Sequence, residues 1–79
     1  YRALNAACRK FEAGEQSGDA LRAIMTQVLA QEPLANVEYV SAADPLTLHE
    51  LDRVENSVLL SLAVRFGATR LIDNLPLSR

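Results

Sequence analysis

The chain has 79 residues and a mass of 8.7 kDa, and 49% of its residues are hydrophobic while 23% are charged. A chain this short supports one thin core, so a second separately cored unit is excluded and we expect residues 1–79 to form a single domain. The formal net charge is −2 and aromatic residues make up 5% of the chain, so it has no basic field and few stacking platforms. We therefore expect no nucleic-acid partner.

The cysteine content and the apolar runs indicate the compartment. One cysteine cannot form an internal disulfide, and the unbroken apolar runs are far shorter than a membrane span. No charged segment followed by an apolar segment marks a signal peptide. We therefore expect a cytoplasmic protein with no membrane partner. The chain opens with Tyr1 instead of methionine, which favours the end of a longer protein.

The first residues show the spacing of an amphipathic helix. Tyr1, Leu4, Cys8 and Phe11 recur at intervals of three and four, which places them on one apolar face. We therefore predict a first helix here. At Cys8 this face predicts a buried thiol that does not act as a nucleophile.

A second helix is predicted after a polar break at residues 15–18. Ser17 is placed to cap it and Asp19 lies in its first turn, so the helix should begin near Gly18. Pro33 cannot continue the helix and disfavours helical backbone at Glu32, where the helix should end. Its apolar residues share one face: Leu21, Ile24, Met25, Val28 and Leu29. Two such helices in succession predict a helical hairpin.

The next segments favour strands. Val37–Ala43 is short and β-branched and is followed by the turn residues Asp44 and Pro45, which predicts an edge strand. Thr47–Glu50 has the spacing of a capping box, so one helical turn and irregular structure are equally compatible with it. Ser57–Phe66 is the most apolar stretch of ten residues and lacks polar alternation, which predicts a central strand.

The last segment completes a hairpin. Gly67 permits a tight turn with positive φ, Ala68–Asn74 returns as a strand, and Pro76 should end it. The order helix, helix, strand, strand, strand predicts an α+β fold of two layers. The helical hairpin would pack on a small, largely antiparallel sheet of three strands.

The hairpin places two arginines against each other. A two-residue turn at Gly67 and Ala68 puts Arg65 opposite Arg70. Because two guanidinium groups repel, either a carboxylate such as Glu38 lies between them, or a partner supplies an anion, or the register is wrong. Arg65 and Arg70 are therefore candidates for an anion or interdomain contact, with exposed or internally paired arginines as the alternative.

The remaining polar residues do not assemble a reaction centre. His49 is the single histidine, which excludes a two-histidine metal set. The nearby carboxylates lie on a segment typical of a solvated loop, and the glycines are too scattered to cradle a phosphate. These carboxylates are Glu50, Asp52 and Glu55, and the glycines are Gly14, Gly18 and Gly67. We therefore predict no catalytic, cofactor-binding or metal-binding residue in this chain.

The C-terminal half resembles a known family. VEYVSAADPLTL followed by VLLSLAVRFGATRLIDN is similar to the C-terminal domain of the pantothenate synthetase (pantoate-β-alanine ligase) family. The likeness covers about residues 37–77, and its most specific part is a strand-glycine-strand pattern that ends in RLIDN at residues 70–74. The two helices fit the family by pattern alone.

The resemblance implies an enzyme that joins pantoate to β-alanine, with ATP and magnesium, by way of a pantoyl adenylate. In that family an N-terminal nucleotide-binding domain carries the catalytic motifs, and none of them has a counterpart between Tyr1 and Arg79. The family assigns the C-terminal domain the role of a lid over the first domain, in a homodimeric parent. The resemblance therefore implies a lid fragment that is inactive alone and binds no cofactor itself.

A competing hypothesis is a free-standing interaction or ligand-sensing module without catalysis, built on the same helices and sheet. A long upstream coding segment with a nucleotide-binding pattern would distinguish the lid from the module.

Overall fold

The structure is a computed structural model that describes residues 2–79. Two helices precede three strands: α1 is Arg2–Glu12, α2 is Gly18–Leu29, β1 is Ala35–Ala43, β2 is Ser57–Phe66 and β3 is Thr69–Ser78. The strands form one antiparallel sheet in the order β1-β2-β3. The predicted α+β architecture is confirmed, with β2 as the central strand and β1 at an edge.

The helices cover one side of the sheet, which we call the inner face. Leu60, Leu62 and Val64 of β2 are at most 1% exposed on this face and pack against both helices. The helical part of the core consists of Ala3, Leu4, Ala7, Phe11, Leu21, Met25 and Leu29. Total accessible surface is 4975 Å², close to the roughly 4,700 Å² that the size scaling gives for a compact chain of this mass.

The predicted start of the second helix is confirmed at its first residue. Ser17 has extended backbone, with φ of −89° and ψ of 120°, and its Oγ accepts a hydrogen bond from the Ala20 amide at 3.1 Å. This satisfies one of the amides that a helix start leaves without a helical partner. The helix ends at Leu29, ahead of Pro33.

The prediction of a buried thiol at Cys8 is wrong. The buried side of α1 consists of Ala3, Leu4, Ala7 and Phe11, while Cys8 is half-buried beside it. Cys8 follows Leu4 by four residues, which is more than one helical turn of 3.6 residues. Cys8 therefore lies at the edge of the buried face of α1. Desolvation, aided by Glu12, raises the pKa of the Cys8 thiol, and its inertness stays a prediction.

The structure corrects the prediction for Pro76 and decides between the two alternatives for Thr47–Glu50. β3 runs on to Ser78 and Pro76 pairs with Leu59, so the prediction that Pro76 ends the strand is wrong. An edge strand tolerates proline because one row of its backbone groups has no neighbour to bond. For Thr47–Glu50 the irregular alternative is confirmed, since the segment forms no helix.

A tight loop replaces the helical turn there. The Asp44 Oδ1 atom accepts hydrogen bonds from the amides of Leu46 at 2.8 Å and Thr47 at 3.0 Å. The Leu48 amide donates to the Asp44 carbonyl at 2.8 Å. These amide bonds lower the pKa of the Asp44 carboxyl below its ordinary value. Asp44 is therefore the main acceptor that organises the loop, and the Thr47 Oγ1 atom accepts a hydrogen bond from the His49 amide at 3.3 Å.

Candidate functional site

The side of the sheet that faces away from the helices, the outer face, carries a cluster of Arg65, Glu38 and Arg70. Arg65 pairs with Arg70 across β2 and β3, as the hairpin register predicts. Glu38 lies between them: its Oε2 accepts from Arg65 Nε at 3.2 Å, and its Oε1 accepts from Arg70 Nε at 2.5 Å. Of the three alternatives for these arginines, an intervening carboxylate is the one confirmed.

A β-bulge brings Glu38 to the arginines. The register of β1 against β2 shifts between Val37 and Tyr39, so Glu38 is the extra residue on β1. Arg70 is two strands away from it, a separation of about 9–10 Å between backbones. Long side chains from both residues span the central strand.

The electrostatics of the cluster favour the ionised carboxylate. The hydrogen bond from Arg70 is the largest influence and lowers the pKa of Glu38, desolvation opposes it, and the hydrogen bond from Arg65 lowers it further. Two guanidinium groups and one carboxylate leave a charge of +1. Within residues 2–79, the guanidinium groups of Arg65 and Arg70 each donate a hydrogen bond through the Nε atom alone. The cluster therefore keeps donors and positive charge for a further anion.

An apolar row lies beside this cluster. Tyr39, Ala63 and Ile72 are aligned across the three strands on the outer face. Ala63 is fully buried beneath its neighbours, whereas Tyr39 is 42% and Ile72 is 55% exposed. An exposed apolar row next to a cationic group is typical of a contact surface.

The other polar residues singled out in the sequence do not join this cluster. His49 is exposed in the loop before β2, and Glu55 pairs with the exposed Arg53 at 3.3 Å. Within residues 2–79 no three His, Cys, Asp or Glu side chains converge to hold a metal ion. No helix in the same range is long and apolar enough to cross a membrane.

Comparison with known proteins identifies the family. The sequence profile described as pantoate-beta-alanine ligase matches residues 1–76. The chain belongs to the pantoate-β-alanine ligase family. Its resemblance to that family, first seen in the strands, thus extends over both helices as well.

Curated relatives and solved structures of the family agree. The chain is 61% identical over 74 residues to the pantothenate synthetase of Roseiflexus castenholzii and 40% identical over 73 residues to that of Clostridium botulinum. It superimposes on a pantothenate synthetase crystal structure from Thermus thermophilus with a TM-score of 0.84 and 33% identity, over 95% of this chain. The matches cover 27% of the length of the Roseiflexus and Thermus proteins, at their C-terminal portion.

In this member of the pantoate-β-alanine ligase family, Arg22 is a polar residue near the loop before β2 that sequence reasoning missed. Its Nη1 donates to the Ala42 carbonyl at 3.1 Å and its Nη2 to the Leu51 carbonyl at 2.9 Å. It also pairs at 2.9 Å with Asp19 and with Glu50, and its side chain is 18% exposed. Arg22 therefore anchors the loop before β2 to α2. Helical spacing gave no signal for this, because Arg22 simply falls off the apolar face.

Proposed function

We propose that this chain is the C-terminal lid domain of a pantothenate synthetase that joins pantoate to β-alanine with ATP, through a pantoyl adenylate. The observation that carries the proposal is the 61% identity to a pantothenate synthetase over a stretch that makes up 27% of that protein. We further propose that the parent is a cytoplasmic homodimer, as the family resemblance implies.

The proposed division of labour leaves substrate activation to the domain that precedes this one. Three carboxylates of this chain are already engaged: Glu38 by two arginines, Glu50 by Arg22, and Asp44 by loop amides. Magnesium prefers sets of oxygen ligands, and among residues 2–79 no three acidic, histidine or cysteine side chains converge to form such a set. We therefore assign no step through magnesium to this chain, and no catalytic residue.

A lid has a physical purpose in such a reaction. An acyl adenylate is open to hydrolysis, so a domain that excludes water protects the intermediate without supplying a reacting group. We propose that the outer face meets the preceding domain, with Tyr39 and Ile72 as its apolar contacts. Arg70 would then face a phosphate or a carboxylate of that domain, since a guanidinium fork binds either anion.

The test of the lid uses the full-length enzyme with Arg70→Met, which keeps the stem of the side chain and removes the charge. We expect normal folding but more free adenylate released per pantothenate formed. Arg53→Met is the matched control, because Arg53 is exposed and ion-paired away from the outer face. An unchanged partition for Arg70→Met would show that the lid does not close through this arginine.

A second experiment tests the division of labour. The purified 79-residue chain should release no pyrophosphate from ATP in the presence of pantoate, whereas the full-length parent should. Pyrophosphate release by the short chain above a heat-treated control would contradict the proposal. No pantothenate formation by the full-length parent would contradict the activity itself.

A further inference from the structure

An apolar groove of about 300 Å³ opens at the end of the domain where α1 begins. It lies between the first turn of α1, the last turn of α2 and the tip of the β2–β3 hairpin. Its apolar walls include Ala3, Val28, Leu29, Val64, Phe66 and Leu71, and Arg2 and Glu32 also line it. The groove is thus on the inner face, on the opposite side of the sheet from the arginine cluster.

The groove exposes apolar surface that residues 2–79 do not cover. Val64 at its base is 1% exposed, but Phe66 is 37% and Leu71 is 49% exposed. Three other clefts are lined mainly by polar side chains, among them one built by Asp44, Arg53, Glu55 and other loop residues. Leaving such a surface in water costs free energy in proportion to its apolar area, so a covering group is favoured.

The position of the groove indicates what covers it. This chain corresponds to the C-terminal portion of relatives that it covers to 27%, so the rest of the full-length protein joins it at the start of α1. Arg2 and Ala3 line the groove, and each extended residue spans about 3.3–3.6 Å. The part of the full-length protein that precedes this chain is therefore tethered near the groove. Such tethering gives an effective concentration on the order of millimolar, at which a modest apolar contact forms.

We propose that this groove binds the segment that precedes this chain in the full-length protein. An apolar side chain of that preceding segment packs between Phe66 and Leu71. This contact fixes the direction in which the remainder of the enzyme leaves the domain. The packing does not depend on ligase activity.

Two exposed leucines provide a matched pair for the test. Leu71 lines the groove and is 49% exposed, whereas Leu46 lies in the loop before β2, away from the groove, and is 93% exposed. In the full-length protein, Leu71→Gln should raise hydrogen exchange in the peptide that spans the junction before Arg2 by about tenfold, because the apolar contact is lost. Leu46→Gln should leave that exchange unchanged, and Leu71→Met should retain most of the protection.

Circular dichroism and size-exclusion chromatography of the same variants complete the design. If Leu71→Gln unfolds the protein, Val28→Gln on the facing wall replaces it. Equal exchange in the Leu71→Gln and Leu46→Gln variants would overturn the proposal. A change of oligomeric state confined to Leu71→Gln would also overturn it, since the groove would then hold a second copy. Failure of the ligase assay alone would leave the exchange result standing.

Discussion

The guanidinium of Arg79 lies over the ring of Phe11, with its Cζ atom 4.1 Å from the ring centroid. Its Nη2 donates to the carbonyls of Phe11 at 3.0 Å and Glu15 at 2.6 Å, and its Nη1 donates to the Glu55 carbonyl at 2.6 Å. Carbonyls at the end of a helix lack helical partners and favour a cation. Arg79 therefore joins the end of β3 to the end of α1 and to the segment before β2.

Replacing Arg79 by lysine should destabilise the domain by about 1–2 kcal/mol, because lysine keeps the charge but not the planar fork that reaches several carbonyls. Urea unfolding followed by circular dichroism measures the change. Arg9→Lys, on the exposed side of α1, is the control and should change stability by less than about 0.5 kcal/mol. Equal effects of the two substitutions would show that the Arg79 contacts contribute little.

Gly18 is required by a close approach of two backbones. A Cβ atom at this position would lie 1.8 Å from the Leu51 carbonyl oxygen, and the Gly18 amide donates to the Asp52 carbonyl at 2.9 Å. Gly18→Ala should therefore cost at least about 2–3 kcal/mol, since the loop must move to admit a methyl group. Thermal unfolding measures this loss.

Ser17→Ala, at the neighbouring position, is the control for Gly18→Ala. It removes only the hydrogen bond to the Ala20 amide, for an expected loss of about 1 kcal/mol. A Gly18→Ala loss no larger than this would mean that the loop yields without strain.

The parts of the fold predicted correctly from sequence are those set by local pattern. The spacing of Leu21, Met25 and Leu29 predicts the buried face of α2, and the high apolar content of β2, without polar alternation, predicts its central position. The two-residue turn then determines that Arg65 faces Arg70. The repulsion between the two arginines predicts a carboxylate between them as one of three alternatives, and Glu38 is that carboxylate.

The parts that the sequence did not reveal depend on contacts distant along the chain. Arg22 reaches a carbonyl 29 residues away, and Arg79 reaches one 68 residues away. No periodicity encodes such capping of backbone carbonyls by arginine. The groove was also missed. Alternation places Leu71 on the helix-facing side of the sheet, but alternation does not show that the helices leave Leu71 partly exposed.

Leu48 has a backbone conformation that suits another residue better. Its φ is +64°, the single non-glycine residue with positive φ among residues 2–79, and its side chain is largely exposed. A left-handed conformation costs leucine about 1–2 kcal/mol, and asparagine tolerates it better. Leu48→Asn should therefore raise stability by about 0.5–1 kcal/mol in urea unfolding. Leu46→Asn is the control, since Leu46 is even more exposed, and a similar gain there would attribute the effect to surface polarity.

Glu38 makes stability depend on pH in a direction set by its arginine partners. Hydrogen bonds from Arg70 and Arg65 lower the pKa of Glu38 in the folded protein. A lowered folded-state pKa stabilises the fold above the ordinary glutamate pKa, and this contribution is lost as the pH falls through the lowered value. The stability difference between the wild type and Glu38→Gln should therefore be largest near neutral pH and vanish in acid.

Urea unfolding at steps from about pH 7 to about pH 2.5 measures that difference across the ordinary titration range of glutamate. Added salt should reduce it at neutral pH, because the cluster is open to solvent and its charges are screened. Glu32→Gln is the control, since Glu32 forms no ion pair among the described residues, and we expect it to change stability at neutral pH by less than about 0.5 kcal/mol. A Glu38→Gln difference that persists undiminished in acid would show that Glu38 stabilises the sheet through packing in the bulge and not through its charge.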